Sequence, residues 1–246
     1  MKELKKVVLL LSFLMVAIVA QSQNKLYNYR NRVPEGKIHI LYTAGGSYHD
    51  HLGVATVLRR FLEVRHKYHV TYTEDYGVFT SSLEKYDIII MNGMPKKLTE
   101  EELEGFLKAV REGKPVLGLH SATAALSKDE KRKQYVEVFG AQFAGHPPIH
   151  KFPVKVTNKK HPIMENIKDF EIYDEMYFYG NKKEGSTVLL EAEHEKRGKT
   201  AIAWTRNYGK GKVFYTTLGH GVGAVTNKNF QQLLVNGLDW LLGKQK

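Results

Sequence analysis

The chain has 246 residues, a formal net charge of +11 and no cysteine. The absence of cysteine excludes a disulfide framework, a thiol nucleophile and a lipid attached through an N-terminal cysteine. The lysines are spread through turns without any helix-turn-helix or RNA-binding motif, so the composition predicts a solvated basic surface and no nucleic-acid partner.

The N-terminus has the pattern of a secretory signal peptide. Basic MKELKK precedes an apolar run of 14 residues from Val7 to Ala20, which is shorter than the roughly 20 residues that span a bilayer. We expect residues 1–22 to be a signal peptide, the protein to be periplasmic or extracellular, and no stable membrane span to remain after cleavage. A buried helix or an uncleaved anchor is the alternative. Residues 23–246 are enough for one domain.

The first half of this domain predicts strands that alternate with helices. The helix before the fourth strand is the clearest, because Thr99 and Glu102 form a capping box and Gly113 supplies a stop. Another helix carries apolar residues from Leu52 to Val64. This alternation predicts a doubly wound, mainly parallel sheet flanked by helices. The predicted strands are 37–43, 69–73, 87–91 and 115–119.

The second half predicts an antiparallel extension of that sheet. The segment from Tyr208 to Gly211 has the composition of a hairpin turn between two strands, and an amphipathic helix from Phe230 to Leu241 ends the domain. We therefore expect one α/β domain. The predicted strands of this half are 152–156, 187–190, 201–205 and 212–217.

Several histidines fall where a predicted strand ends. His49 follows the first strand, His120 ends the fourth, and His220 follows the last. The carboxyl ends of parallel strands form the ligand-binding edge of an open α/β sheet, so these side chains are predicted to converge on one polar site. The alternative is that they are ordinary loop histidines. Imidazole is both a metal ligand and a proton carrier, and both chemistries stay open.

Two later segments add candidate groups. His146 and His150 are separated by two prolines, which argues against a helical zinc motif and favours His146 as the one imidazole that faces the site. Asp174 and Glu175 lie among aromatic residues, where a carboxylate can serve as general base or metal ligand and a neighbour such as Tyr177 can face a sugar ring. A strand with exposed acids is the alternative.

The two glycine-containing turns restrict the chemistry. Gly45 and Gly46 open a helix whose free amides favour anions or hydroxyl oxygens, but no phosphate-loop lysine or third dinucleotide glycine follows, so no nucleotide cofactor is expected. The segment from Gly118 to Ala122 has the outline of a nucleophile elbow with His120 in its middle position. Ser121 is one place further on without an adjacent base, which makes a serine hydrolase the weaker hypothesis.

Six segments, in this order, resemble the trehalose-utilisation (ThuA-like) family, over about residues 37–243. The resemblance implies the flavodoxin-like fold of class I glutamine amidotransferases. Those enzymes carry a cysteine at the elbow where this chain has His120, so glutamine hydrolysis through a thioester is excluded. The segments are GGSYHDH at 45–51, GLHSATAA at 118–125, GAQFAGHPP at 140–148, KHPIMENI at 160–167, YDEMYFY at 173–179 and AWTRNYGKGKVFYTTLGHG at 203–221.

The resemblance also implies carbohydrate catabolism, with 3-keto derivatives of disaccharides as expected substrates. A 3-keto group acidifies the proton at C2, so a base can remove it and expel the anomeric substituent by elimination. A sugar hydrolase, lyase or isomerase is expected, and a non-catalytic carbohydrate- or metal-binding protein is the main alternative. A homo-oligomer is compatible with the sequence.

The resulting site hypothesis has three parts. The expected catalytic residues are Glu175, His120 and His220. The expected contacts to a small-molecule carbohydrate are Gly45, Gly46, Tyr48, Ser121 and Tyr177. The expected ligands of a divalent metal, with zinc favoured, are His49, His120, His146 and His220.

Overall fold

The computed structural model describes residues 33–46, 48–93, 98–124, 133–180 and 184–244. The expected signal peptide, residues 1–22, lies outside the described residues. Within these ranges, no helix has the length and apolar character required to cross a membrane.

A nine-stranded sheet and a separate two-stranded sheet organise the described chain. The strands are β1 (Ile38–Gly45), β2 (Tyr68–Thr73), β3 (Ile88–Gly93), β4 (Val116–Leu119), β5 (Gln142–Gly145), β6 (His150–Val156), β7 (Phe170–Asp174), β8 (Phe178–Gly180), β9 (Thr187–His194), β10 (Gly198–Tyr208) and β11 (Gly211–Thr216). The large sheet has the order β2-β1-β3-β4-β11-β10-β9-β6-β7, and β5 pairs with β8.

The large sheet is parallel on one side and antiparallel on the other. β2, β1, β3, β4 and β11 run parallel, which is the flavodoxin-like order with β11 as the fifth strand. β10, β9, β6 and β7 continue the sheet with antiparallel pairing. The predicted fold class, a doubly wound parallel sheet with an antiparallel extension, is confirmed.

Helices cover both faces of the parallel part. Alternate residues of β1 enter two cores: Ile40 and Tyr42 pack with α1 and α6, whereas Leu41 packs in the core that contains α3 and α4. A strand covered on both faces has a continuous apolar sequence, as β3 has. The helices are α1 (His51–Arg65), α2 (Val78–Ser81), α3 (Glu100–Glu112), α4 (Lys133–Phe139), α5 (Val222–Val225) and α6 (Lys228–Leu241).

Two helices show how far the sequence pattern determines local structure. The capping box of α3 is confirmed, because Thr99 and Glu102 make both reciprocal hydrogen bonds and Gly113 ends the helix with a φ of 124°. Helix α1 is also present, but Leu52 and Val64, which were expected on its apolar face, are exposed. The buried stripe of α1 instead contains Val54, Ala55, Leu58 and Leu62.

Gly118 on β4 allows the sheet to pack closely beneath the site. A Cβ atom at this position would lie 2.5 Å from the ring of Phe139 and 2.8 Å from the ring of Tyr215. Only glycine leaves room for both aromatic rings. This packing fixes β4 just before it delivers His120.

Candidate active site and metal centre

His120 forms a sharp turn at the carboxyl end of β4. Its φ is +41°, in the left-handed region that non-glycine residues rarely adopt, and a short 3₁₀ turn from His120 to Thr123 follows. The Tyr215 hydroxyl donates to the carbonyl oxygen of His120 at 2.6 Å and holds the turn. The elbow that the sequence predicts is therefore present, with an imidazole in the nucleophile position.

The imidazole of His120 is oriented by β11 and the residue after it. Its Nδ1 lies 2.6 Å from the carbonyl oxygen of Thr217. A carbonyl can only accept, so Nδ1 carries the proton and Nε2 presents a lone pair to the site. Metal-binding histidines have this arrangement, in which the second ring nitrogen donates to a carbonyl or carboxylate.

Four polar groups surround Nε2 of His120. His49 Nε2 is 3.1 Å away, and His220 Nδ1 is 3.3 Å away. Glu175 Oε2 lies at 3.3 Å and the Tyr177 hydroxyl at 2.8 Å. The histidines that follow β1, β4 and β11 thus meet at one point, as their positions at strand ends predict.

His49, His120, Glu175 and His220 form what we call the His3Glu cluster. One ligand atom from each lies within 4.8 Å of the others. The closest pairs are separated by 3.1–3.3 Å. Atoms bound to one ion at about 2.0–2.1 Å in a tetrahedral arrangement lie about 3.3–3.4 Å apart, so these four of the six pairwise spacings suit a common ion.

Asp174 fixes the backbone of two members of the cluster, Glu175 and His220, by hydrogen bonds. Its carboxylate is fully buried and accepts three backbone N–H groups, from Glu175 at 2.8 Å, Gly219 at 2.8 Å and His220 at 3.2 Å. Burial raises the pKa of Asp174, and the three N–H donors and His120 oppose that shift. From the sequence alone, this carboxylate could not be distinguished from that of Glu175 beside it. Its signal was the alternation of β7, which places Asp174 on the buried face.

The electrostatics of the cluster favour the metal-binding forms of Glu175 and His49, and the protonated form of His220. Burial alone would raise the pKa of Glu175, but hydrogen bonds and charge from His120 and His220 hold it well below its usual range. Burial and the neighbouring imidazoles lower the pKa of His49 to about 3. The hydrogen bond to Glu175 raises the pKa of His220. An ionised carboxylate and a neutral imidazole are the forms that bind metals.

His146 and His150 lie outside the His3Glu cluster. His146 Nδ1 is 3.5 Å from Glu175 Oε1, and its side chain is 36% exposed. It therefore stands between the second oxygen of Glu175 and solvent, rather than among the four ligand groups. His150 Nδ1 lies 2.9 Å from the carbonyl oxygen of Pro148.

The expected sugar contacts occupy different positions around the cluster. Gly45, the last residue of β1, and Gly46 after it have φ values of 148° and 128°, and Tyr48 further along is 69% exposed. Tyr177 is buried against His120.

Ser121 is fully buried, and in the described structure its hydroxyl has no hydrogen-bond partner. A serine nucleophile needs a base within hydrogen-bond reach, and Ser121 has none among these residues.

Comparison with known proteins identifies the family. A family model described as trehalose utilisation (ThuA) matches residues 37–241. A search of curated protein sequences gives no match.

Solved structures show the same fold. A ThuA-like protein from Parabacteroides merdae has a TM-score of 0.76 and 21% identity, covering 85% of this chain and 92% of that one. A ThuA-like protein from Bacteroides uniformis has a TM-score of 0.72 and 21% identity, covering 87% and 96%. A β-galactosidase from Rahnella sp. R3 has a TM-score of 0.61 and 13% identity, covering 86% of this chain and 32% of the enzyme. With its family model matched over residues 37–241, the chain belongs to the trehalose-utilisation (ThuA) family.

Proposed function

We propose that this protein is an enzyme of carbohydrate catabolism that acts on a keto sugar derived from a glycoside. The reaction is proton abstraction next to the carbonyl, assisted by a divalent metal at the His3Glu cluster. The observation that carries the proposal is the convergence of three imidazoles and one carboxylate around Nε2 of His120.

The donor set fits a transition metal. Imidazole nitrogens and a carboxylate oxygen are ligands that zinc prefers. The hydrogen bond from Nδ1 of His120 to the Thr217 carbonyl fixes the orientation and tautomer of the ring, as in metal-binding histidines. A divalent ion held by His49, His120, Glu175 and His220 would polarise the keto oxygen of the substrate.

The two carboxylate oxygens of Glu175 have different roles in the proposal: Oε2 belongs to the cluster and Oε1 is the base. Oε2 lies 3.3 Å from His120 Nε2 and 3.2 Å from His220 Nδ1, whereas Oε1 faces His146. In the proposed reaction Oε1 accepts the C2 proton. The C–H electron pair then forms the C1–C2 double bond, the C1–O bond breaks, and the leaving oxygen takes up a proton to become an alcohol. Partly exposed His146 connects Oε1 with solvent.

The first test is the metal content of residues 23–246, measured by elemental mass spectrometry. We expect stoichiometric metal in the wild type and in His150→Ala, and its loss in His120→Ala. His150→Ala is the matched control because His150 lies outside the cluster. If the wild type contains no metal and added zinc does not raise its Tm, the metal-assisted form of the proposal is wrong.

The second test separates an enzyme from a binding protein. Glu175→Gln should lower kcat for a 3-keto-glycoside by about 100-fold or more, because general-base catalysis typically contributes 10²–10⁴. Its affinity for the substrate should change much less. A wild-type protein that binds the keto sugar without turning it over would instead be a carbohydrate-binding module.

We also propose that residues 1–22 direct export, on the basis of their sequence pattern. Expression of the full chain followed by cell fractionation and N-terminal sequencing tests this. A protein recovered from the cytosol with Met1 intact would contradict it.

A further inference from the structure

His51 is a buried imidazole with no role in the site described above. It is the first residue of α1 and is 5% exposed. Asp50 already caps this helix, because its carboxylate accepts the N–H of Gly53 at 2.9 Å. Asp50 and Leu52, the two neighbours of His51 in the chain, are both exposed. The start of the helix therefore does not require an imidazole, yet the chain buries one there.

Three nitrogens of this region are buried without a hydrogen-bond partner among the described residues. They are both ring nitrogens of His51 and Nδ1 of His49. Buried polar groups are almost always hydrogen-bonded, and burying them without a partner costs free energy that an apolar residue at position 51 would avoid. Unpartnered nitrogens on two neighbouring rings point to a hydrogen bond between those rings when the site is occupied.

The two rings are close enough for that hydrogen bond. The ring centroids of His49 and His51 are 5.3 Å apart, with an angle of 50° between the ring planes. Two imidazoles joined by an N–H···N bond have centroids about 5 Å apart, because the bond spans about 3 Å and each nitrogen lies about 1 Å from its centroid. A small rotation of either ring therefore completes the bond.

The direction of the bond follows from the geometry of the cluster. Nε2 of His49 is 3.1 Å from Nε2 of His120, so it is the nitrogen that faces the proposed ion. A neutral imidazole that binds an ion through Nε2 carries its proton on Nδ1, which then needs an acceptor. For His120 that acceptor is the carbonyl of Thr217. Burial lowers the pKa of His51, so its ring is neutral and has a lone pair for His49.

We propose that His51 is a positioning residue for His49. It accepts a hydrogen bond from Nδ1–H of His49 and holds that ring with Nε2 toward the His3Glu cluster. This inference rests on the metal site of the proposed function. It adds a fourth imidazole that binds no ion, and it predicts that zinc affinity depends on the hydrogen-bond acceptor at position 51 and not on the bulk of the side chain.

The test is zinc affinity, measured by competition with a chelator. His51→Phe keeps a ring and removes the acceptor, so zinc should bind about 10–100-fold more weakly, as it does when an outer-shell partner is lost. His51→Asn and His51→Gln place an acceptor oxygen near the positions of Nδ1 and Nε2, and one of the two should bind zinc within about threefold of the wild type.

His39→Phe is the matched control. His39 lies near the other end of β1, where its ring nitrogens are 2.8 Å from Thr71 Oγ1 and 3.0 Å from the Lys85 carbonyl oxygen. This variant also loses imidazole contacts, but away from the cluster, and its zinc affinity should equal that of the wild type. The inference is overturned by unchanged affinity in His51→Phe, by an equal loss in His39→Phe, or by equal losses in all three variants of His51.

A ¹⁵N NMR measurement on the wild type decides the inference if the His51 variants do not fold. In the zinc-bound protein, a ¹⁵N–¹⁵N coupling across the hydrogen bond should connect Nδ1 of His49 with the ring of His51. A proton on Nε2 of His49 would show that Nδ1 binds the ion and would refute the inference. If the wild type binds no zinc, the metal-assisted form of the proposed function fails. The same coupling in the zinc-free protein then supports the contact between His49 and His51, and its absence contradicts it.

Discussion

Replacement of Asp174 by asparagine should both destabilise the fold and weaken the metal site. The carboxylate accepts N–H groups from Glu175, Gly219 and His220 in a place with no solvent exposure. An asparagine side chain has one acceptor oxygen and one NH2 donor. If its oxygen takes the place of Oδ1, which accepts from Glu175 and His220, the Gly219 N–H faces a second donor.

The magnitude follows from that mismatch. A hydrogen bond to a charged group contributes about 1.5–3 kcal/mol, and a buried donor without a partner costs about 1–3 kcal/mol. We expect the free energy of unfolding to fall by about 2–4 kcal/mol, which for a domain of this size corresponds to about 5–15 °C in Tm. Metal affinity should fall by about 10–100-fold, as it does when outer-shell partners are removed.

Denaturant unfolding and zinc titration measure the two effects. Asp169→Asn is the matched control, because the Asp169 carboxylate accepts one N–H, from Val156, at a distance of 2.8 Å. An asparagine oxygen can accept that single bond, so the loss of stability should stay below about 1 kcal/mol and zinc affinity should not change. If Asp174→Asn unfolds like the wild type and binds zinc with unchanged affinity, the role assigned to Asp174 is wrong.

Three other substitutions test separate parts of the structure. Gly118→Ala should lower the free energy of unfolding by about 1–3 kcal/mol in a urea titration, because the added methyl group would meet the Phe139 ring at 2.5 Å; an unchanged midpoint would contradict this packing. Thr99→Ala should cost about 1 kcal/mol through loss of the α3 cap, and a stability equal to the wild type would show that the cap contributes nothing. Ser121→Ala should retain kcat on a keto sugar, because its hydroxyl contacts no base in the described structure; an inactive variant that remains folded would restore the serine hydrolase hypothesis.

The sequence was sufficient for the parallel half of the fold, for the three histidines of the cluster, and for naming Glu175 as a candidate beside them. Apolar runs identify the strands of a parallel sheet, and parallel strands place all their carboxyl ends at one edge. His49, His120 and His220 could therefore be placed together without knowledge of any contact. The capping box of α3 was equally local, because its two residues are three positions apart.

The remaining features depend on contacts between distant segments. Asp174 reaches Gly219 and His220 across 45 and 46 positions of chain, and the alternation of β7 shows only that its side chain is buried. The position of His146 depends on the path of the loop before β6. The two prolines in that loop exclude a helix but do not determine this path. In α1, the presence of an apolar side chain was not sufficient to predict burial, because Leu52 and Val64 are exposed and lie off the face that packs against the sheet.

β11 and the residues that follow it position much of the His3Glu cluster. Tyr215 holds the His120 carbonyl, Thr217 holds the His120 ring, and His220 follows three residues later. These groups are tied to one covalent segment, so they keep their mutual spacing when neighbouring loops move. The free-energy cost of ordering the ligands when an ion binds here should therefore be small. The backbone around the site should be the same before and after metal is added.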